Sequence, residues 1–192
     1  MSRKFSRKWL LMAGAAGFLA VLLGAPPAPG QSSKPAKKYT RGGGTPRIQH
    51  LKEVEKLILR FTNDARRSRG LLVLDRDADL DNTARGHTDD MLRRRFFSHV
   101  NPDGENPGDR AGHALVTADT LSRVGENIWG GTGQDYQDSR ILARTIVDSW
   151  MSSPGHRDNI LRPEYTHLGV GVGVVGQEIR ATQVFATRAG KR

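Results

Sequence analysis

The chain has 192 residues, no cysteine, and 30 Lys and Arg against 20 Asp and Glu, for a formal net charge of +10. Without cysteine there are no disulfides, no thiolate metal site and no thiol nucleophile. The basic excess does not mark a nucleic-acid binder: residues 1–30 hold four basic and no acidic residues, residues 31–47 hold five basic and no acidic, and the remainder is +1.

Arg3, Lys4, Arg7 and Lys8 precede an uncharged apolar run, Trp9 to Ala25, which exits through Pro26-Pro-Ala-Pro-Gly30. A basic start, an apolar middle and a small-residue exit form the layout of a secretory signal. The run is shorter than the roughly 20 residues of a membrane span. Cleavage is expected after Gly30, where Ala28 and Gly30 supply small residues; the alternative is an uncleaved anchor. Gln31 to Pro46, rich in Ser, Pro, Lys and Gly, reads as a disordered basic spacer. The expected organisation is a signal over 1–30, a linker over 31–47 and one folded domain over 48–188. That length suffices for a core without cross-links.

Ile48, Leu51, Val54, Ile58, Phe61 and Ala65 recur at helical spacing, which predicts a helix to about Arg69 with Gly70 as its stop. Leu71 to Leu74 is an apolar connection. A second helix is predicted from near Asp77 to about Arg95, with Leu80, Ala84, His87 and Met91 inward. Ser98 to about Val116 reads as loop, Leu121 to Trp129 as partly extended, and Gly130 to Gly133 as a turn or loop. A third helix is predicted over Asp138 to Met151, burying Ile141, Leu142, Thr145 and Trp150. Ser153-Pro-Gly-His156 breaks it, and a helical turn follows over Asn159 to Leu161. Leu168 to Val174 and Ile179 to Ala186 read as two strands joined by a hairpin at Val175-Gly-Gln177. Helices followed by a hairpin argue for an α+β fold.

Two motifs are rejected. Gly171-Val-Gly-Val-Val-Gly176 matches a dinucleotide fingerprint, but it lies within a strand and runs into a hairpin, where no helix N-terminus can meet a pyrophosphate. Its glycines are expected to admit a neighbouring element instead. Asp75 to Asp81 resembles a calcium loop, yet Leu80 stands where the loop needs glycine and Gly86 where it needs glutamate. Asp77 or Asp79 as a helix cap is the better account.

Six histidines remain: His50 and His87 on helices, the latter expected to be a hydrogen-bonded core residue, then His99, His113, His156 and His167. Phe96-Phe-Ser-His99, Asn101-Pro-Asp-Gly104, Val124-Gly-Glu-Asn-Ile128, Trp150-Met-Ser-Ser-Pro-Gly-His-Arg-Asp-Asn-Ile-Leu161 and Tyr165-Thr-His-Leu-Gly-Val-Gly171 follow in order. Together they resemble the bacterial SCP-like branch of the CAP superfamily, which includes cysteine-rich secretory proteins, antigen 5 and pathogenesis-related proteins of class 1. The resemblance covers about Leu51 to Thr187. It implies an α-β-α sandwich with an antiparallel sheet of three or four strands between helix layers. It also implies an open cleft that bears two His and two Glu in eukaryotic members. His99 matches the first of those histidines and Glu126 the glutamate of the Gly-Glu-Asn motif. Ser153 stands where the second glutamate is found, and Glu164 where the last histidine is found. His156 and His167 are the residues left to refill the cleft.

The resemblance points to an extracellular binding module for a divalent metal, a lipid, a cell-envelope polymer or a protein ligand. Imidazoles with a carboxylate suit zinc, so the candidate metal ligands are His99, Glu126, His156 and His167. The competing reading is that His99 and Glu126 bond each other and pin two loops. A metal-assisted hydrolase acting on peptide or cell-wall material is the second function, with His99, Glu126 and His156 as its candidate catalytic groups. Ser98, Ser152 and Ser153 sit in no activating context. Nucleic-acid binding is disfavoured by export and by the near-neutral domain. Membrane contact is expected only through an uncleaved N-terminal segment.

Overall fold

The computed structural model describes residues 45–114, 121–132 and 138–188. The signal segment and most of the spacer, and the side chain of His50, lie outside the described residues. Helix α1 spans Thr45–Arg67, so residues 45–47 open this helix and do not belong to a linker. Strand β1 is only Asp75–Arg76, and α2 spans Ala78–Arg94. Helix α3, Pro107–Ala114, occupies part of the expected loop. Strand β2 runs from Leu121 to Thr132, α4 from Ser139 to Ser152 and α5 from Pro154 to Ile160. Strands β3, His167–Val175, and β4, Glu178–Arg188, close the fold.

The strands form one sheet in the order β1-β3-β4-β2. The three long strands pair antiparallel, as expected; β1 adds a short parallel edge on β3, so the sheet is mixed. The hairpin turns on Gly176 and Gln177, with Gly176 at φ +61. A positive φ at the first turn residue alone fits a type II′ turn, where glycine is favoured. Gly130 to Thr132 are strand, not turn, because Arg180, Ile179 and Glu178 of β4 supply their partners.

Side chains alternate across the sheet and fill two layers. On one face Leu168, Val170, Val172, Ile179 and Phe185 pack with Val54, Ile58 and Phe61 of α1 and with Leu142, Ile146 and Trp150 of α4. On the other, Val184 and Ala186 meet Leu80 and Ala84 of α2 and Ala111 of α3. This is the expected α-β-α sandwich. Each fully buried Ile, Leu or Phe contributes about 1.5–3 kcal/mol, so the first layer can hold the domain without disulfides. Two residues expected inside α4 are outside: Ile141 is 60% exposed and Thr145 is exposed. Ile146 and Val147 take the inward face instead, shifting the buried stripe around the helix.

Polar side chains finish the sheet edges. Beyond the short β1, the edge amide of Val170 donates to Asp81 at 2.8 Å and that of Val172 to Glu55 at 3.3 Å. On the β2 edge, Asn159 donates to the Glu126 carbonyl at 3.2 Å and Trp150 Nε1 to the Ile128 carbonyl at 3.0 Å. Arg66, fully buried, donates to the carbonyls of Leu72, Ile160 and Arg162, each at 2.8 Å, and ties α1 to the end of α5. Among the described residues no helix is long and apolar enough to cross a membrane.

Candidate functional site

Helix α2 starts where Asp77 accepts from the amides of Asp79 and Leu80, which is the cap expected in place of a calcium loop. It stops at Arg95, whose left-handed backbone (φ 57) reverses the chain. That reversal carries Phe96 to Val100 back over β2. The segment is tied down by His87, whose Nε2 donates to the Ser98 carbonyl at 3.0 Å.

His99 Nδ1 donates to Glu126 Oε1 at 2.9 Å. The Glu126 side chain is 1% exposed and that of His99 is 47% exposed. The carboxylate is therefore a buried anchor, and the imidazole is the group presented to solvent. Arg110 of α3 donates to Glu126 Oε2 at 2.8 Å and to the His99 carbonyl at 3.0 Å. His87 Nε2 lies 3.7 Å from Glu126 Oε1. Burial pushes the His87 imidazole below its ordinary value, against the raising effect of Glu126. The cluster is thus Arg110, Glu126, His99 and His87, held by α2, α3 and β2.

His156 lies on α5, beyond the β2 edge, with its carbonyl accepting from Asn127 at 3.1 Å. Burial, and after it the charge of His99, lowers its pKa. The helical turn expected at Asn159 to Leu161 starts earlier, at Pro154, and that is what carries His156 to this edge.

His167 is placed elsewhere. It is buried at the start of β3, in register with Ala186, which pairs with Val124, so it stands two strands from Glu126. Its Nδ1 meets Thr166 Oγ1 at 2.7 Å. The four candidate ligands are accordingly not one cage. Among the described residues no group of three or more His, Cys, Asp or Glu side chains is arranged to hold an ion. Glu126 has both oxygens engaged, which makes it a positioning residue for His99. The serines are engaged elsewhere too: Ser98 Oγ accepts from the Val100 amide, and Ser152 donates to the Asp148 carbonyl. Ser153 makes no side-chain cap bond.

His87 is the hydrogen-bonded core histidine expected, and it also lies beside Glu126; Arg110 is a site residue that motif reading missed. His87 sits on the buried face of α2. Arg110 lay in a stretch read as loop.

Cleft and cavity are distinct. A cavity of about 560 Å³ lies between α3 and the Leu121 end of β2, and no histidine lines it.

The cysteine-rich secretory protein family, CAP, matches residues 59–185. The chain is 33% identical over 140 residues to YkwD of Bacillus subtilis, an uncharacterized protein, covering 73% of this chain and 50% of YkwD. It is 37% identical over 118 residues to the uncharacterized membrane protein YlbC of the same organism, covering 62% of this chain and 31% of YlbC. Among solved structures, an extracellular SCP-domain protein of Bacillus anthracis matches with TM-score 0.58 and 31% identity, over 76% of this chain and 45% of that one. An outer surface protein of Borrelia burgdorferi shares the fold at TM-score 0.61 and 17% identity, over 72% of this chain and 95% of that one. The chain thus spans half or less of the two curated Bacillus relatives.

Proposed function

Because the chain belongs to the CAP family of cysteine-rich secretory proteins, we propose that its domain works outside the cytoplasm as a binding module. In this reading His99 and His156 present an imidazole pair that seats a divalent ion such as zinc. Export is supported by the basic-apolar-small N-terminal segment and by the extracellular relative of Bacillus anthracis.

One observation carries the reading: the buried Glu126 carboxylate accepts a hydrogen bond from the Nδ1–H of His99. This fixes the tautomer and turns the Nε2 lone pair outward, as carboxylates do behind metal-bound histidines. Burial lowers the pKa of His156 and so favours its neutral form, which lets an ion compete better with a proton there. Two imidazoles leave coordination positions open for water or for a ligand group. Exposed Phe97 and Val100 beside His99 offer an apolar rim, which suits a partly apolar ligand at the same cleft.

The test is zinc titration of the full chain, followed by calorimetry and by the melting temperature. Zinc is expected to raise Tm, since a ligand of the folded state stabilises it by mass action. His99→Ala and His156→Ala are each expected to abolish the rise. Glu126→Gln should weaken zinc about tenfold to a hundredfold. No heat and no Tm rise would sink the metal reading and leave His99–Glu126 as a structural pin.

A second reading, a hydrolase, draws on the same pair. An imidazole oriented by a buried carboxylate is a general-base arrangement. With Ser98 and Ser152 engaged elsewhere, water would be the attacking group in this reading. Turnover of peptide or peptidoglycan that His99→Ala abolishes would favour it over binding alone.

A further inference from the structure

Glu126 and Asn127 are consecutive on β2, and side chains alternate across a strand, so the two leave opposite faces of the sheet. Glu126 turns toward α2 and α3, where it holds His99. Asn127 turns toward α1 and α5 and is fully buried. Since β2 is an edge strand, the segments that carry His99 and His156 reach one dipeptide from either side of it. The charge of His99 is felt at His156.

A side-chain amide has two donor hydrogens and an accepting oxygen, and Asn127 uses all three. Its Nδ2 donates to the His156 carbonyl at 3.1 Å and to Gln183 Oε1 at 3.2 Å, and its Oδ1 accepts from Asn159 at 3.0 Å. The His156 carbonyl can only accept, so it decides which end of the amide faces α5. Asn159, three residues after His156 and on the same side of the helix, also donates to the Glu126 carbonyl at 3.2 Å. Helix α5 is thereby fixed to the dipeptide at two points one turn apart. Its far end is held independently, by Arg66 on the Ile160 carbonyl. Behind Asn127, Gln183 donates to Thr62 of α1 at 2.7 Å, and both of these side chains are fully buried. The Asn127 amide is therefore braced from the core, and any shift of it strands a buried polar group, which is costly.

We propose that Asn127 is the positioning residue for His156, as Glu126 is for His99, so that one dipeptide of the edge strand sets the spacing of the imidazole pair. Asn127 acts through the backbone of residue 156, from which the imidazole projects. This deepens the reading of His99 and His156 as an ion-seating pair and rests on it for its effect on zinc.

The test records the ring carbon–proton signals of His99 and His156 in the labelled, metal-free full chain, with zinc affinity measured beside them. Asn127→Ala is expected to move the His156 ring signals, to leave those of His99 in place and to weaken zinc about tenfold. Gln183→Ala is the control. It deletes an equally buried amide of the same network, one that makes no hydrogen bond to α5 among the described residues. It should lower Tm and leave the His156 ring and the zinc affinity near their parental values. Asn127→Ser keeps one donor in a smaller side chain and should fall between the parent and the alanine variant. A folded Asn127→Ala with parental His156 signals overturns the proposal. So does a Gln183→Ala that moves the His156 ring as far, because the network as a whole would then be responsible. Failure of both Asn127 variants to fold overturns it too, leaving Asn127 a folding residue only. If the parent takes no zinc, the ion reading fails by itself, and the ring signals alone decide the positioning role.

Discussion

Glu126 accepts from His99 and Arg110 and lies beside His87, so one carboxylate holds three elements together. Glu126→Gln would leave Arg110, nine-tenths buried, without its counter-charge. Breaking a buried pair on one side is far more damaging than losing a surface pair. A loss of about 3 kcal/mol is expected in chemical denaturation. His87 gives a pH prediction. Its folded pKa is below the ordinary 6.5, with burial as the first cause. Between those values the unfolded chain holds the proton and the folded one does not. Its contribution to stability is therefore complete above the unfolded pKa and lost as pH falls through the folded one. Tm measured from about pH 8 to about pH 5 should decline on the acid side, and His87→Gln should flatten that decline. His99 and Glu126 were legible in the sequence because each sits in an ordered motif. Arg110 was not, since nothing local to an arginine says which carboxylate it will find sixteen residues away.

Between elements, glycine decides how closely α2 approaches the sheet. A methyl group at Gly169 or Gly171 of β3 would overlap the backbone of α2 at Leu80 or at Ala84 and Arg85. Gly171→Ala should destabilise the domain by about 3 kcal/mol, because backbone on both sides cannot yield. Gly86→Ala should act with the opposite sign, adding about 1 kcal/mol of helix propensity at a position with free space. Urea midpoints of the two variants check both, and the same sign for both would refute this account of the packing. The alternating glycines were legible as a packing surface, but the helix that uses them was not. Helix α3 escaped because half of its eight residues are Gly, Pro or Asp. Yet Asn106 accepts from the amides of Gly108 and Asp109 while Asp109 accepts from that of Asn106. That reciprocal cap starts a helix despite weak propensity. Ile141 was misjudged for a related reason: helical spacing gives the stripe, but the packing partners set where on the helix it lies.

For the molecule as a whole, the basic excess belongs to the N-terminal 47 residues and not to the domain. If that segment is an export signal, protein recovered outside the cell should begin at Gln31 by mass spectrometry; an intact N-terminus in the membrane fraction would instead indicate an anchor. Composition, periodicity and motif order determined the α+β class, the long helices, the terminal hairpin and the family, because these depend on local patterning and on residues close in sequence. Tertiary structure alone decided which histidines meet at Glu126, namely His87 and His99. Helix α5 starts early and brings the His156 carbonyl to Asn127 of β2, whereas His167, within a similar motif, is fixed two strands from Glu126 by register. Register and helix docking are set by contacts between distant segments, and no local pattern records them.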